Sequence, residues 1–166
     1  MVWPQVSLAQ MAALLHPTYK VKIVDANAER MSWEDFTKLL DKHQPKYYFT
    51  QLTAPTLEND MYGVFLAKAR GAKTIAFGTH ITPIPKETLR PYPALDYGFI
   101  GEPDLTLRDL LDNLEDRVND RPENIIKLFN KHDPTYEPGR APDGSLDMRK
   151  IKGLAWRENG EVILNM

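Results

Sequence analysis

The chain has 166 residues, 42% of them hydrophobic and 27% charged, with a formal net charge of −2 and no cysteine. That size and balance describe one ordinary globular core, alone or with a small appendage. The missing cysteine excludes a disulfide framework, a thiolate zinc site, a cysteine nucleophile and a cysteine-ligated iron–sulfur cluster, and the near-neutral charge gives no electrostatic footprint for duplex nucleic acid or an anionic membrane.

In residues 3–15 the apolar positions Val6, Leu8, Ala9, Met11, Ala12, Ala13 and Leu15 recur at helical steps, with Pro4 in a first turn, which predicts a helix with a wide buried stripe. His16-Pro17 ends it, because a residue before proline is pushed out of the helical region. The β-branched run over residues 21–26 predicts a strand in a covered sheet. Ser32, followed by Asp35, reads as the N-cap of a second helix carrying Trp33, Phe36, Leu39 and Leu40 and ending near Gln44-Pro45. The unit then repeats: a strand over 47–53, a turn over 54–56, a helix over 57–70 stopped by Gly71, and a strand over 74–79. A Pro-interrupted turn over 82–89 leads to a short strand over 96–100 and a closing helix over 104–118, whose leucines form a core face. Residues 119–150 hold four prolines and two glycines among charges and read as a loop or mobile connector with a short helix over 123–131. Residues 153–165 read as a hairpin around Asn159-Gly160. No apolar run is long enough for a membrane span or a signal peptide, so a soluble cytoplasmic protein is expected.

Alternating strands and helices with short connections predict an α/β fold, a flavodoxin-like (Rossmann-like) doubly wound parallel sheet with a small C-terminal β-hairpin. The expected organisation is an α/β domain over 1–118, the connector over 119–150, and a hairpin over 151–166. A doubly wound sheet opens with a central strand, yet this chain opens with a helix. In the order 2-1-3-4-5 the absent strand lies between residues 21–26 and 47–53, and without it two strands face a gap. The expectation is a piece of a longer protein, the alternative being a strand that fills the slot in a homo-oligomer.

Ligands of such folds bind outside the carboxyl ends of the strands. The residues expected there are Asp25-Ala26, then Thr53-Ala54-Pro55-Thr56, Gly78-Thr79-His80 and Gly101-Glu102-Pro103. Glycine lets a ligand approach the backbone, and threonine hydroxyls offer hydrogen bonds without charge, a rim better suited to a large planar amide- or phosphate-decorated ligand than to acid/base catalysis.

Thr50-Gln51-Leu52 resembles the Ser-x-Leu element, and Gly78-Thr79 the Gly-Gly element, of cobalamin-binding Rossmann-like domains. Residues 3–14 with 21–26, residues 78–89, and residues 96–102 with Leu105-Thr106-Leu107 are similar to the N-terminal B12-binding domain of radical SAM enzymes, a group that includes anaerobic magnesium-protoporphyrin ester cyclases and cobalamin-dependent methyltransferases. Residues 151–157 with Asn159-Gly160 are similar to the hairpin that precedes the radical SAM barrel in that family. The resemblance implies a module that holds and orients cobalamin, with Trp3, Thr50, Leu52, Thr53, Thr56, Gly78, Thr79, His80, Gly101 and Glu102 around the cofactor. It further implies a radical SAM domain as partner, with S-adenosylmethionine and a 4Fe-4S cluster in that downstream domain, since a chain without cysteine has no Cys-x-x-x-Cys-x-x-Cys motif. The family's Asp-x-His-x-x-Gly motif is absent, so no lower cobalt ligand is assigned, and no residue is assigned a catalytic role.

Each of these residues also has a plainer reading. A histidine at a strand end, such as His80, orients a loop more often than it binds metal. Glu102 suits a helix start, Trp3 suits core packing, and Thr56 suits an N-cap for the following helix. The rival for the whole chain is a cobalamin-free regulatory or docking domain of the same fold. A nucleotide-binding enzyme domain is disfavoured by the lack of Gly-x-Gly-x-x-Gly and of a P-loop.

Overall fold

Residues 6–165 are described by the structure, a computed structural model. Helix α1 (Val6–Leu15) is followed by α2 (Trp33–His43), strand β1 (Tyr47–Gln51), α3 (Leu57–Lys68), β2 (Lys73–Phe77), α4 (Pro85–Leu89), β3 (Tyr97–Phe99), α5 (Asp104–Leu114), α6 (Glu123–His132) and the strands β4 (Leu154–Glu158) and β5 (Glu161–Asn165). Each predicted helix is present, the first over Val6–Leu15 of its expected 3–15, whose residues 3–5 lie outside the described residues, and α4 occupies the segment read as a Pro-interrupted turn, with Pro85 in its first turn, where its missing N–H costs nothing.

The five strands form one sheet in the order β1-β2-β3-β4-β5. The first three are parallel, and β4 and β5 join antiparallel at the β3 side. The expected hairpin, formed by β4 and β5, is thus part of the main sheet, with Leu154, Ala155 and Trp156 opposite Phe99, Gly98 and Tyr97.

Side chains alternate across this sheet as the pleat requires. On one face Ile75, Phe77, Phe99, Leu154 and Trp156 pack under α1 and α5 through Met11, Leu15, Leu107, Leu110 and Leu111. On the other, Ala76, Ala155 and Val162 meet Met61, Val64, Ile81, Leu89 and Leu95. Helix α2 lies outside α3, with Phe36 and Leu40 against Ala67 and Ala72. Helices thus cover both faces, and the α/β, flavodoxin-like class is the observed one.

The strand expected over 21–26 does not form. That stretch makes no ladder, and Val21 and Ile23 stand 41% and 45% exposed. The run has strand-forming side chains but, among the described residues, no neighbouring strand to supply hydrogen bonds, so β propensity alone does not hold it. At its end Asp25 closes a turn, its side chain accepting from the Ala28 N–H at 2.9 Å. β1 correspondingly pairs on one side only, with β2.

Residues 119–150, read as a loop or mobile connector, are bolted to α5. Arg121 donates to Asp112 at 2.6 Å and to Asp109 at 2.6 Å, and the Tyr136 hydroxyl donates to Asp109 at 2.6 Å. Asp109, Asp112 and Asn113 of α5 are buried, and so is Arg108, which reaches the other way to the Leu14 carbonyl and the Thr18 hydroxyl.

Ser32 caps α2 as its position predicts, its hydroxyl accepting from the Asp35 N–H at 3.1 Å. Ser32→Ala is expected to destabilise the protein by about 1 kcal/mol in urea titration, and Ser32→Gly by only a few tenths.

Candidate functional site

The carboxyl ends of β1, β2 and β3 lie side by side because these strands are parallel neighbours. Their connections meet through three sets of contacts. The Leu52 N–H donates to the Phe77 carbonyl at 2.7 Å, and the His80 N–H donates to the Leu52 carbonyl at 3.3 Å, which fixes the β1 end to the turn after β2. Gly78 permits this approach. It has φ +121°, and a Cβ there would lie 2.5 Å from the Leu52 carbonyl oxygen. The Thr82 hydroxyl then donates to the Gly78 carbonyl at 3.0 Å and accepts from the Gly101 N–H at 3.2 Å, joining the β2 and β3 turns.

Thr53 and Thr56 share a hydroxyl hydrogen bond of 2.7 Å, and Thr56 donates onward to Asp60 at 2.6 Å. Thr56 therefore does not cap α3 with its side chain. Asp60 sits half-buried at the foot of this chain. Burial raises its pKa above the ordinary carboxylate value, while the Thr56 hydroxyl and the Thr53 amide pull the other way. Tyr48 stands on the same face of β1 as Thr50, and burial pushes its phenol up to about 12.

The folded state therefore binds the Asp60 proton more tightly than the unfolded chain does. Its ionised form is penalised above the raised folded pKa, and the penalty vanishes below the unfolded value, 3.8. Asp60→Asn keeps an acceptor for Thr56 and removes the penalty. The variant is expected to be the more stable protein at pH 7 in urea titration, with the difference closing as pH falls through that window.

The other expected site residues are placed as follows. Thr50 is half-buried on β1, Thr79 is exposed, and His80 is half-buried. Gly101, at φ +81°, is exposed, and a Cβ there would meet no atom within 4 Å. Leu52 is fully buried and has both backbone groups engaged, so it supports the rim from below. Glu102 is exposed. The helix-start contact falls instead to its neighbour Asp104, which accepts from Gln10 at 2.5 Å. Burial raises the Asp104 pKa, and the Glu102 charge adds to the rise. Trp3 lies outside the described residues. Among the described residues no group of three His, Cys, Asp or Glu side chains converges as a metal cluster would, and no helix is long and apolar enough to cross a membrane.

Sequence reasoning missed Thr82, Asp60 and Tyr48. Thr82 carried no signal beyond that of a turn residue before Pro83. Asp60 lies four residues after Thr56, a spacing that places the two on one helical face and could have been noticed.

No protein family model matches the chain. The chain is 28% identical, over 96% of its length, to a protein of Pyrococcus horikoshii named an uncharacterized methyltransferase, and it spans 29% of that relative's length. A solved structure of the N-terminal domain of a hypothetical protein from Thermotoga maritima aligns with 67% of this chain and 86% of its own, at 21% identity and a TM-score of 0.48.

Proposed function

We propose that this chain is a cofactor-holding module of a methyl-transferring enzyme, and that the group it holds is a corrinoid. The observation that carries the reading is the hydroxyl- and glycine-rich rim at three adjacent strand ends, where the Thr53–Thr56 hydroxyl pair stands at the end of β1 and Thr82 bridges Gly78 and Gly101. A large, neutral, amide-fringed group needs donors and acceptors without fixed charge and backbone it can lie against. Threonine hydroxyls provide both hydrogen-bonding senses, and the open space at Gly101 provides the approach. The residues present fit such a group. The methyltransferase name of the Pyrococcus horikoshii relative supports the chemistry.

When bound, cobalamin would supply a cobalt centre able to carry a methyl group. Everything else falls to binding and orientation. Thr82 holds the two glycine turns in register, Asp60 orients the Thr56 and Thr53 hydroxyls, and Gly78 keeps the β1 and β2 ends together. With no cysteine in the chain, a cysteine-ligated cluster and the S-adenosylmethionine bound to it belong to a separate radical SAM domain in this reading.

The test is retention of hydroxocobalamin. The purified chain is mixed with the cofactor, desalted, and its visible spectrum recorded. About one equivalent is expected to stay with the protein, and Thr82→Val is expected to reduce retention without unfolding the chain. A folded protein that emerges free of corrin absorbance overturns the proposal and leaves a cobalamin-free docking domain as the better reading.

A further inference from the structure

A second concave site lies beside the strand ends, between α2, α3 and the segment after α4. It is a groove of about 640 Å³ lined by Trp33, Tyr62 and Tyr92, by Ala54, Pro55 and Leu57, and by the polar side chains of Glu58 and Asn59. None of its aromatic residues belongs to the threonine and glycine rim.

Two aromatic walls of this groove stand at right angles. The Trp33 and Tyr62 ring centroids are 4.8 Å apart, with an interplanar angle of 88°. Both rings remain partly exposed, Trp33 at 38% and Tyr62 at 46%. Trp33 is nevertheless held in place. It meets Phe36 edge-on with centroids 5.7 Å apart, and it lies over Gly63 of α3, where an added Cβ would come within 3.7 Å of the indole. The Tyr92 backbone is anchored as well: its N–H donates to the Leu89 carbonyl at 3.1 Å, and its carbonyl accepts from Arg157 at 3.0 Å.

The lining combines aromatic faces with one carboxylate. Glu58 is exposed at the mouth and forms no ion pair among the described residues. Aromatic rings carry negative charge on their faces; Trp33 and Tyr62 touch edge to face, so a cation has its room not between them but in the groove, against their exposed surfaces and Tyr92, where the Glu58 carboxylate selects the same sign. A hydrated ammonium gains little from such walls. A methylated ammonium has an apolar surface that the rings desolvate while its charge is retained.

We propose that this groove binds a quaternary or highly methylated ammonium group, with Trp33, Tyr62 and Tyr92 as its walls and Glu58 as its counter-charge. The groove adjoins the rim through the Ala54-Pro55 turn, but its aromatic walls and carboxylate include no rim hydroxyl and no rim glycine, so it does not rest on the corrinoid reading.

The experiment compares choline with 3,3-dimethyl-1-butanol, which has the same shape and no charge, by calorimetric titration of the intact chain. Choline is expected to bind at least tenfold more tightly than the neutral isostere. Trp33→Ala and Tyr62→Leu should each weaken choline binding about tenfold, and Glu58→Gln should weaken choline without affecting the isostere. Far-UV circular dichroism confirms that each variant is folded. Should Trp33→Ala unfold the chain, Tyr62→Leu and Glu58→Gln decide the matter, since Tyr62 and Glu58 lie on the exposed face of α3. No detectable choline binding, equal binding of the isostere, or choline binding indifferent to Tyr62→Leu and Glu58→Gln overturns the proposal.

Discussion

Asp112→Ala is expected to destabilise the fold by about 3–5 kcal/mol, the loss typical of breaking a buried ion pair by removing one partner. The Asp112 side chain has no solvent exposure, and Arg108 and Arg121, which flank it, are 1% and 3% exposed. It accepts from Arg108 Nε at 2.9 Å, from Arg121 Nε at 2.6 Å and from the Tyr19 hydroxyl at 2.7 Å. Burial, reinforced by the Asp112 hydrogen bond and charge, holds the Tyr19 phenol far above its ordinary pKa, so Tyr19 stays a donor throughout the physiological range. Alanine removes the shared acceptor and leaves two guanidinium groups side by side. Arg121 retains Asp109, but Arg108 keeps only the Leu14 carbonyl at 2.8 Å and the Thr18 hydroxyl at 3.1 Å. At roughly 2–4 °C per kcal/mol for a domain of this size, the melting temperature should fall by about 10 °C. The exposed Lys38–Glu34 pair, by contrast, should lose less than about 1 kcal/mol on Lys38→Ala. Urea titration of both variants checks the contrast. A loss from Asp112→Ala no greater than that from Lys38→Ala would show that the connector is not clamped through this carboxylate.

Gly78→Ala is expected to be the most damaging single-methyl change at the strand ends. At φ +121° an alanine carries backbone strain of roughly 1–3 kcal/mol. The added Cβ would also sit 2.5 Å from the Leu52 carbonyl oxygen, backbone rather than a flexible side-chain tip, and overpacking of that kind costs roughly 1–3 kcal/mol more. Relief requires the β1 and β2 ends to separate, which breaks the His80 N–H to Leu52 carbonyl bond and shifts the carbonyl that Thr82 uses. Stability and corrinoid retention should therefore fall together in Gly78→Ala. Gly101→Ala shares a positive φ but has open space around it, so it should carry only the backbone strain. Parallel thermal melts of the two variants distinguish them.

The sequence was most informative where local chemistry and tertiary context agree. Ser32 and the Trp33, Phe36, Leu40 spacing announce α2, and the Leu107, Leu110, Leu111 stripe announces α5, because the same apolar face that defines each helix is the face that is buried. Residues 21–26 mislead because strand propensity expresses packing and pairing with a neighbour, and no strand among the described residues lies beside them. The polar side of α5 misleads in the opposite direction. Only its leucines were assigned a buried role from the sequence, yet Asp109 and Asp112 are also buried, held by a proline-rich segment whose Arg121 and Tyr136 lie 9 and 27 residues from their partners Asp112 and Asp109. Pairing over such separations leaves no periodic trace. The strand-end positions were legible because topology alone dictates where parallel strands deliver their loops, whereas the Thr82 bridge depends on how two turns fold toward each other.

The antiparallel pairing of β3 with β4 has a kinetic consequence. β3 is three residues long and lies between β2 and a strand that begins more than fifty positions later in the chain, so its second ladder closes only after a large loop has been brought together. A nascent chain released only as far as residue 150 would hold Ile75, Phe77 and Phe99 without Leu154 and Trp156 beside them. Consolidation of the core then waits on a long-range encounter, and until it occurs this apolar side of the sheet is open during synthesis to whatever chaperones attend the ribosome.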